Sequence, residues 1–168
     1  MRPPKNLPVR PTTDMAKESL FNILNNKIDF DGLNVLDLFA GTGAISLEFV
    51  SRGSASVTAV DNNQRCVSWI RDAARQLEMK ELSALRSDVF RFLENTRAVF
   101  DIIFADPPYD MEGIETISKK VFEHGLLKPG GYLIIEHPKH IDFSNHPRFS
   151  DHRKYGKVNF SFFRYDEK

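Results

Sequence analysis

Long hydrophobic runs are missing from this chain. No stretch approaches the roughly 18 apolar residues that a membrane-spanning helix requires, so no membrane span is expected. The opening residues, MRPPKNLPVRPTTD, contain no apolar core of the kind a secretory signal needs, so none is expected. Cysteine is nearly absent. Cys66 is the only one, which excludes an internal disulfide and fits a reducing, cytoplasmic setting. It reads as a small apolar residue on a helix. Net charge is also lacking, with 23 Lys and Arg against 23 Asp and Glu. A domain held to nucleic acid by charge alone is usually basic. The histidines (124, 137, 140, 146 and 152) share no ligand-like spacing with acids, so no metal is expected. Repeats, low-complexity segments and domain linkers are absent, and 168 residues suit one domain, 1–168, with a sizeable core.

What charge there is lies unevenly. The first ten residues carry Arg2, Lys5 and Arg10 and no acid. From Lys139 onward seven Lys and Arg face four acids. An anionic partner is expected to meet these two ends. Residues 1–12 are Pro-rich and irregular. A helix follows in TTDMAKESLFNIL, with Thr12 or Thr13 as its cap, Asp14 at the positive end of the dipole, and Leu20, Phe21 and Leu24 at helical spacing. Short strands are expected at 34–39, 56–61, 82–88, 101–106 and 132–136. Helices are expected in AISLEFVSR, in NQRCVSWIRDAARQL and around 113–124. The tail alternates polar and apolar residues on both sides of Gly156 and reads as a hairpin. Strands separated by helices give an α/β, doubly wound, Rossmann-like sheet of seven strands. It is mostly parallel, with one antiparallel strand from the C-terminal hairpin.

The chemistry concentrates in two motifs. VLDLFAGTGAIS is a strand, a tight glycine turn and a helix, and such a turn sits at the carboxyl edge of a doubly wound sheet, where ligands bind. Gly41 and Gly43 permit close backbone approach. Asp61 ends the next strand, where an acid can accept from both hydroxyls of a ribose. A dinucleotide and S-adenosylmethionine both suit this pattern. The dinucleotide fingerprint wants a third glycine where Ser46 stands, and it gains less from Asp37 before the loop. A carboxylate there suits a ligand bearing an ammonium and a sulfonium. Asp88, at the end of the third strand, can receive an adenine amino group. These points favour S-adenosylmethionine over NAD.

The second motif is FDIIFADPPYDMEG, where an apolar strand stops at Asp106-Pro107-Pro108-Tyr109. Read alone, this is a turn. Beside a methyl donor it gains a purpose. An exocyclic amine on a nucleobase is a poor nucleophile, because its lone pair is delocalised into the ring. The Asp106 carboxylate and the Pro107 carbonyl can hold its two N–H groups and aim the lone pair. Proline fixes φ and offers no competing N–H. Tyr109 can stack on a base taken out of its helix. Alignment supplies much of the rate, and Asp106 can take the proton.

DLFAGTG, AVD and DPPY together resemble the amino-methyltransferases, which act on exocyclic amines of nucleic acid and on certain protein amides. With RPTTDMAKESLFNIL, VLDLFAGTGAISLEFVSRG and the tail HRKYGKVNFSFF, the chain resembles the bacterial RsmD family, the small-subunit rRNA guanine-N2 methyltransferases, from about Pro8 to Phe163. That resemblance implies methylation of one guanine amine in 16S rRNA within an assembled 30S subunit or precursor, with S-adenosylmethionine as donor and no metal, by a cytoplasmic protein with no membrane association, a monomer by preference. It implies a donor site of Asp37, Phe39, Ala40, Gly41, Thr42, Gly43, Asp61, Asn62, Asp88 and Val89. It implies a catalytic turn of Asp106, Pro107, Pro108 and Tyr109, and a target-side loop of Arg10, Thr12 and Thr13. Members of that family usually begin with a basic, strand-forming stretch. This chain begins at MRPPKNLP, so a weaker hold on RNA phosphate is expected.

Other readings compete. An adenine-N6 DNA methyltransferase uses the same turn but normally carries extra mass to read DNA. Protein-glutamine methyltransferases favour Asn at the position of Asp106. An NAD-dependent oxidoreductase and a non-catalytic rRNA assembly factor are the readings from other classes.

Overall fold

The computed structural model describes residues 14–165. Among these residues seven strands form one sheet in the order β3-β2-β1-β4-β5-β7-β6. The strands are β1 (Asn34–Leu38), β2 (Ser56–Asp61), β3 (Leu82–Arg86), β4 (Phe100–Ala105), β5 (Leu127–His137), β6 (Phe149–Tyr155) and β7 (Val158–Arg164). β1 to β5 run parallel. β7 is antiparallel to both β5 and β6, and so is the one reversed strand. This is the fold class expected from the sequence. The helices are α1 (Asp14–Asn25), α2 (Ala44–Ser51), α3 (Gln64–Gln76), α4 (Val89–Asn95) and α5 (Glu115–Glu123). The expected caps of α1, Thr12 and Thr13, lie outside the described residues.

Strand alternation sorts the core into two layers. Val35, Val57, Ala59, Ile102, Phe104 and Ile134 face one side, packed with Leu20, Phe21, Phe49 and Ile70 of α1, α2 and α3. Leu36, Leu38, Val60, Ile103, Leu133 and Ile135 face the other, with Leu93 of α4 and Ile117 and Val121 of α5. Both faces of the central strands are therefore apolar, as a parallel sheet requires.

Three local readings change. α4 was not foreseen, because VFRFLEN is short and its apolar residues fit neither period clearly. Asp88 consequently does not end β3, which stops at Arg86; its carboxylate instead caps α4, accepting from Arg91 N at 3.0 Å. β5 begins at Leu127 rather than 132, passing through the glycines that read as a turn. Gly130 sits at φ 82, and a Cβ on Gly131 would stand 2.7 Å from Asp101 O. The strand thus survives as an irregularity in the register with β4, which only glycine can fill.

Candidate active site at the carboxyl edge

β1 ends at Leu38, and the chain turns through Phe39 at φ 58, Gly41 at φ 57 and Gly43 at φ 78. Each turn residue is tied down. Ala40 N donates to Val60 O at 3.1 Å, Gly43 N to Ala40 O at 2.8 Å, and Gly41 N to the Asp61 carboxylate at 2.9 Å. The other Asp61 oxygen accepts from Asn63 N at 2.9 Å. The indole of Trp69 on α3 donates to Thr42 O at 3.1 Å. Asn63 caps α3 by accepting from Arg65 N and Cys66 N. Asp61 is 8 % exposed and so clamps the loop from beneath while still reaching the surface. A carboxylate has about four lone-pair directions; two serve the backbone, and two remain for a ligand.

β4 lies next to β1, in register through Leu38 and Ala105. The next residue on β4 is Asp106, whose N–H donates to Leu38 O at 3.4 Å. The glycine turn and the DPPY turn therefore leave adjacent strands at the same level. Between them opens a cavity of about 570 Å³, a usual size for a small-molecule site. Phe39, Ala40, Gly41 and Thr42 line it from the loop, and Asp61 and Asn62 from the end of β2. Asp88 and Val89 line it from the start of α4, and Asp106, Pro107, Pro108 and Tyr109 from the end of β4. The structure brings these twelve expected residues around one space.

Two expected residues do not line it. Asp37 is 1 % exposed beneath the loop and accepts from the Ser46 hydroxyl at 2.6 Å. Burial, with a smaller contribution from the Asp61 charge, pushes its carboxyl up to about 7 against the opposing Ser46 hydrogen bond. Ser46 thus stands at the third-glycine position as the partner of a buried acid. Gly43 serves packing: a Cβ there would lie 2.8 Å from Ile70 Cγ1 of α3. Arg10, Thr12 and Thr13 lie outside the described residues. Asn63, Phe90 and Met111 line the cavity without having been singled out. Each sits within two residues of one that was, and sequence proximity was the only signal.

The cavity is acidic, with Asp61, Asp88 and Asp106 on its walls and exposed Asp110 and Glu112 beyond Tyr109. It suits a ligand carrying positive charge and hydroxyl donors better than a pyrophosphate. Phe39, Phe90 and Met111 add apolar surface for a flat ring. Among the described residues no group of three or more His, Cys, Asp or Glu is placed to hold a metal ion. No helix among them is long and apolar enough to cross a membrane.

Known proteins resemble this chain in sequence and in fold. The family model described as conserved hypothetical protein 95 matches residues 1–164. The YlbH protein of Bacillus subtilis, described as an rRNA methyltransferase, is 33% identical over 137 residues, covering 79% of this chain and 73% of that one. Ribosomal RNA small subunit methyltransferase D of Buchnera aphidicola subsp. Baizongia pistaciae is 29% identical over 132 residues, covering 79% of this chain and 66% of that one. The solved structure of the Escherichia coli yhhF protein shares the fold, with a TM-score of 0.84 at 24% identity over 96% of this chain and 91% of that one.

Proposed function

Because the chain belongs to the conserved hypothetical protein 95 family, that of the RsmD-type rRNA methyltransferases, we propose that it methylates the exocyclic N2 amine of a guanine in small-subunit (16S) rRNA, within an assembled 30S subunit or its precursor. The observation that carries this reading is the shared cavity, which puts the glycine turn and Asp106 of two adjacent strands around one space.

S-adenosylmethionine, when bound, supplies an electrophilic methyl carbon. The remaining lone pairs of Asp61 would accept from its ribose hydroxyls, Asp88 would accept from its adenine amino group, and Phe39, Phe90 and Val89 line the space for the ring. Asp37, behind the loop, accepts from the Ser46 hydroxyl of α2 and so braces the turn on which the donor would rest. Asp106 and the Pro107 carbonyl accept the two N–H bonds of the guanine amine. This turns the nitrogen lone pair toward the methyl carbon, and Tyr109 stacks on the extruded base. Asp106 would take one amine proton as the nitrogen gains the methyl group. Holding both reactants in line contributes a large part of the acceleration.

The test is transfer of a radiolabelled methyl group to 30S particles, naked 16S rRNA and DNA in parallel, followed by nucleoside analysis. N2-methylguanine from the rRNA arms supports the reading; N6-methyladenine from DNA, or no transfer to any arm, removes it. Calorimetric titration with S-adenosylhomocysteine and with NADH separates the donor assignment from the dinucleotide alternative.

A further inference from the structure

An acid-lined cavity repels the phosphates of the very polymer whose base it would receive. Asp110 and Glu112 extend that repulsion past the DPPY turn. On the β3 side, Arg86 donates to Asn62 O. Exposed Arg65 and Arg91 stand in the first turns of α3 and α4, and a second group of cations lies at the other end of the same edge. β7 runs antiparallel to β5, so Asn159 stands opposite His137, and Lys154 of β6 stands opposite Asn159. The hairpin therefore turns at the carboxyl edge, level with the DPPY turn and three strand spacings from it, about 14 Å at the usual interstrand distance. Its tip reads Lys154-Tyr155-Gly156-Lys157, all exposed, and the loop leaving β5 adds exposed Lys139 and His140. Lys139, Lys154 and Lys157 make no ion pair with any described residue, whereas Arg153 is engaged by Asp151.

The tip is a tight turn on a tied root. Gly156 at φ 58 opens a two-residue turn of the II′ kind, and a Cβ there would touch nothing, so glycine is needed for the angle alone. Below it, a polar ladder crosses from β5 to β6. His137 is 2 % exposed; its Nδ1–H donates to Pro138 O at 2.9 Å and its Nε2 accepts from the Ser161 hydroxyl at 2.7 Å. His152 Nε2–H donates to Asn159 Oδ1 at 3.0 Å. These pairs, with His137, Ser161 and Asn159 buried and His152 at the surface, brace the root of a projection whose charges are left to solvent.

We propose that the β6–β7 hairpin tip, with Lys139 and His140 beside it, docks RNA flanking the methylated base. Lys154 and Lys157 meet backbone phosphates, and Tyr155, 39 % exposed between them, stacks on an unpaired neighbouring base. This inference rests on the rRNA methyltransferase reading above.

The test compares wild-type protein with K154E/K157E and with Y155A, using 30S particles and purified 16S rRNA as probes. Loss of two phosphate contacts should raise Kd and KM at least tenfold and flatten the log Kd against log salt plot by about 1.4, at about 0.7 per contact with single strands. Y155A should weaken binding without changing that slope. Melting temperature and S-adenosylhomocysteine affinity should stay at wild-type values, and K154R/K157R should restore Kd. Wild-type protein that neither binds nor methylates RNA overturns both readings. Wild-type protein that does both, with Kd, KM and salt slope unchanged in K154E/K157E, overturns the hairpin surface alone.

Discussion

The two ends of the carboxyl edge are built on opposite plans. At the β2–β1–β4 end, polar groups turn inward and tie one another: Gly41 N and Asn63 N to Asp61, Trp69 to Thr42, Ser46 to Asp37. At the β6–β7 end the polar side chains of the tip stand clear of the protein, and only the root is tied. On the proposed function, the difference follows from ligand size. A small cation needs a concave, pre-arranged set of acceptors, since little surface is available to offset misalignment. A polyanion offers many equivalent phosphates, so projecting cations on a firm base suffice.

The sharpest way to break this contrast is at Asp106. Asp106→Ala should lower methyl transfer by roughly 10²-fold or more, as general-base and orienting contributions are lost. Donor affinity, set on the other wall, should hold, and full activity in a radiolabel assay would remove the assignment.

Asp37 tests the inward plan itself. Its carboxyl is raised to about 7 by burial, so the stability it contributes is fully present below its unfolded value near 3.8 and is lost as pH rises through about 7. Asp37→Asn keeps an acceptor for Ser46 and removes this dependence. The variant should gain on wild type from pH 4 to 7, by roughly 2–4 kcal/mol at pH 8. Urea unfolding of both proteins across that range checks it; a gap that does not vary with pH would contradict the buried charge.

Asp61→Ala should weaken S-adenosylhomocysteine binding by on the order of 1–3 kcal/mol, through lost acceptors and a loosened loop. Calorimetry measures this directly, and RNA binding should be little affected. The smallest effect is expected at the other end. Gly156→Ala places an L residue at φ 58, at a cost of about 1 kcal/mol in stability. The hairpin's RNA affinity should fall while donor affinity holds, which thermal melting and paired titrations would show.

These halves were unequally legible in the sequence. The donor loop is local: a strand, glycines and acids at short spacing point to one edge without any knowledge of the tertiary structure. The adjacency of β1 and β4 also follows, because doubly wound topology admits few orders. Asn63, Phe90 and Met111 were missed because nothing in their local pattern separates a cavity wall from an ordinary loop or helix residue. Asp88 was placed on a strand because a helix of one or two turns leaves too little periodicity to show; its cap was the better signal. Gly43 and Asp37 read as ligand contacts, yet each acts one layer deeper, through Ile70 and Ser46. The hairpin's level with the DPPY turn required the β5–β7 register, a long-range pairing that composition cannot reveal.

Trp69 is the chain's only tryptophan, and its indole is bonded to the carbonyl of Thr42 on the cavity wall. Nature has thereby placed an intrinsic fluorophore against the donor loop. Emission near 69 should change in wavelength or yield as that loop tightens around a guest, giving an optical, label-free titration of occupancy in the unmodified protein.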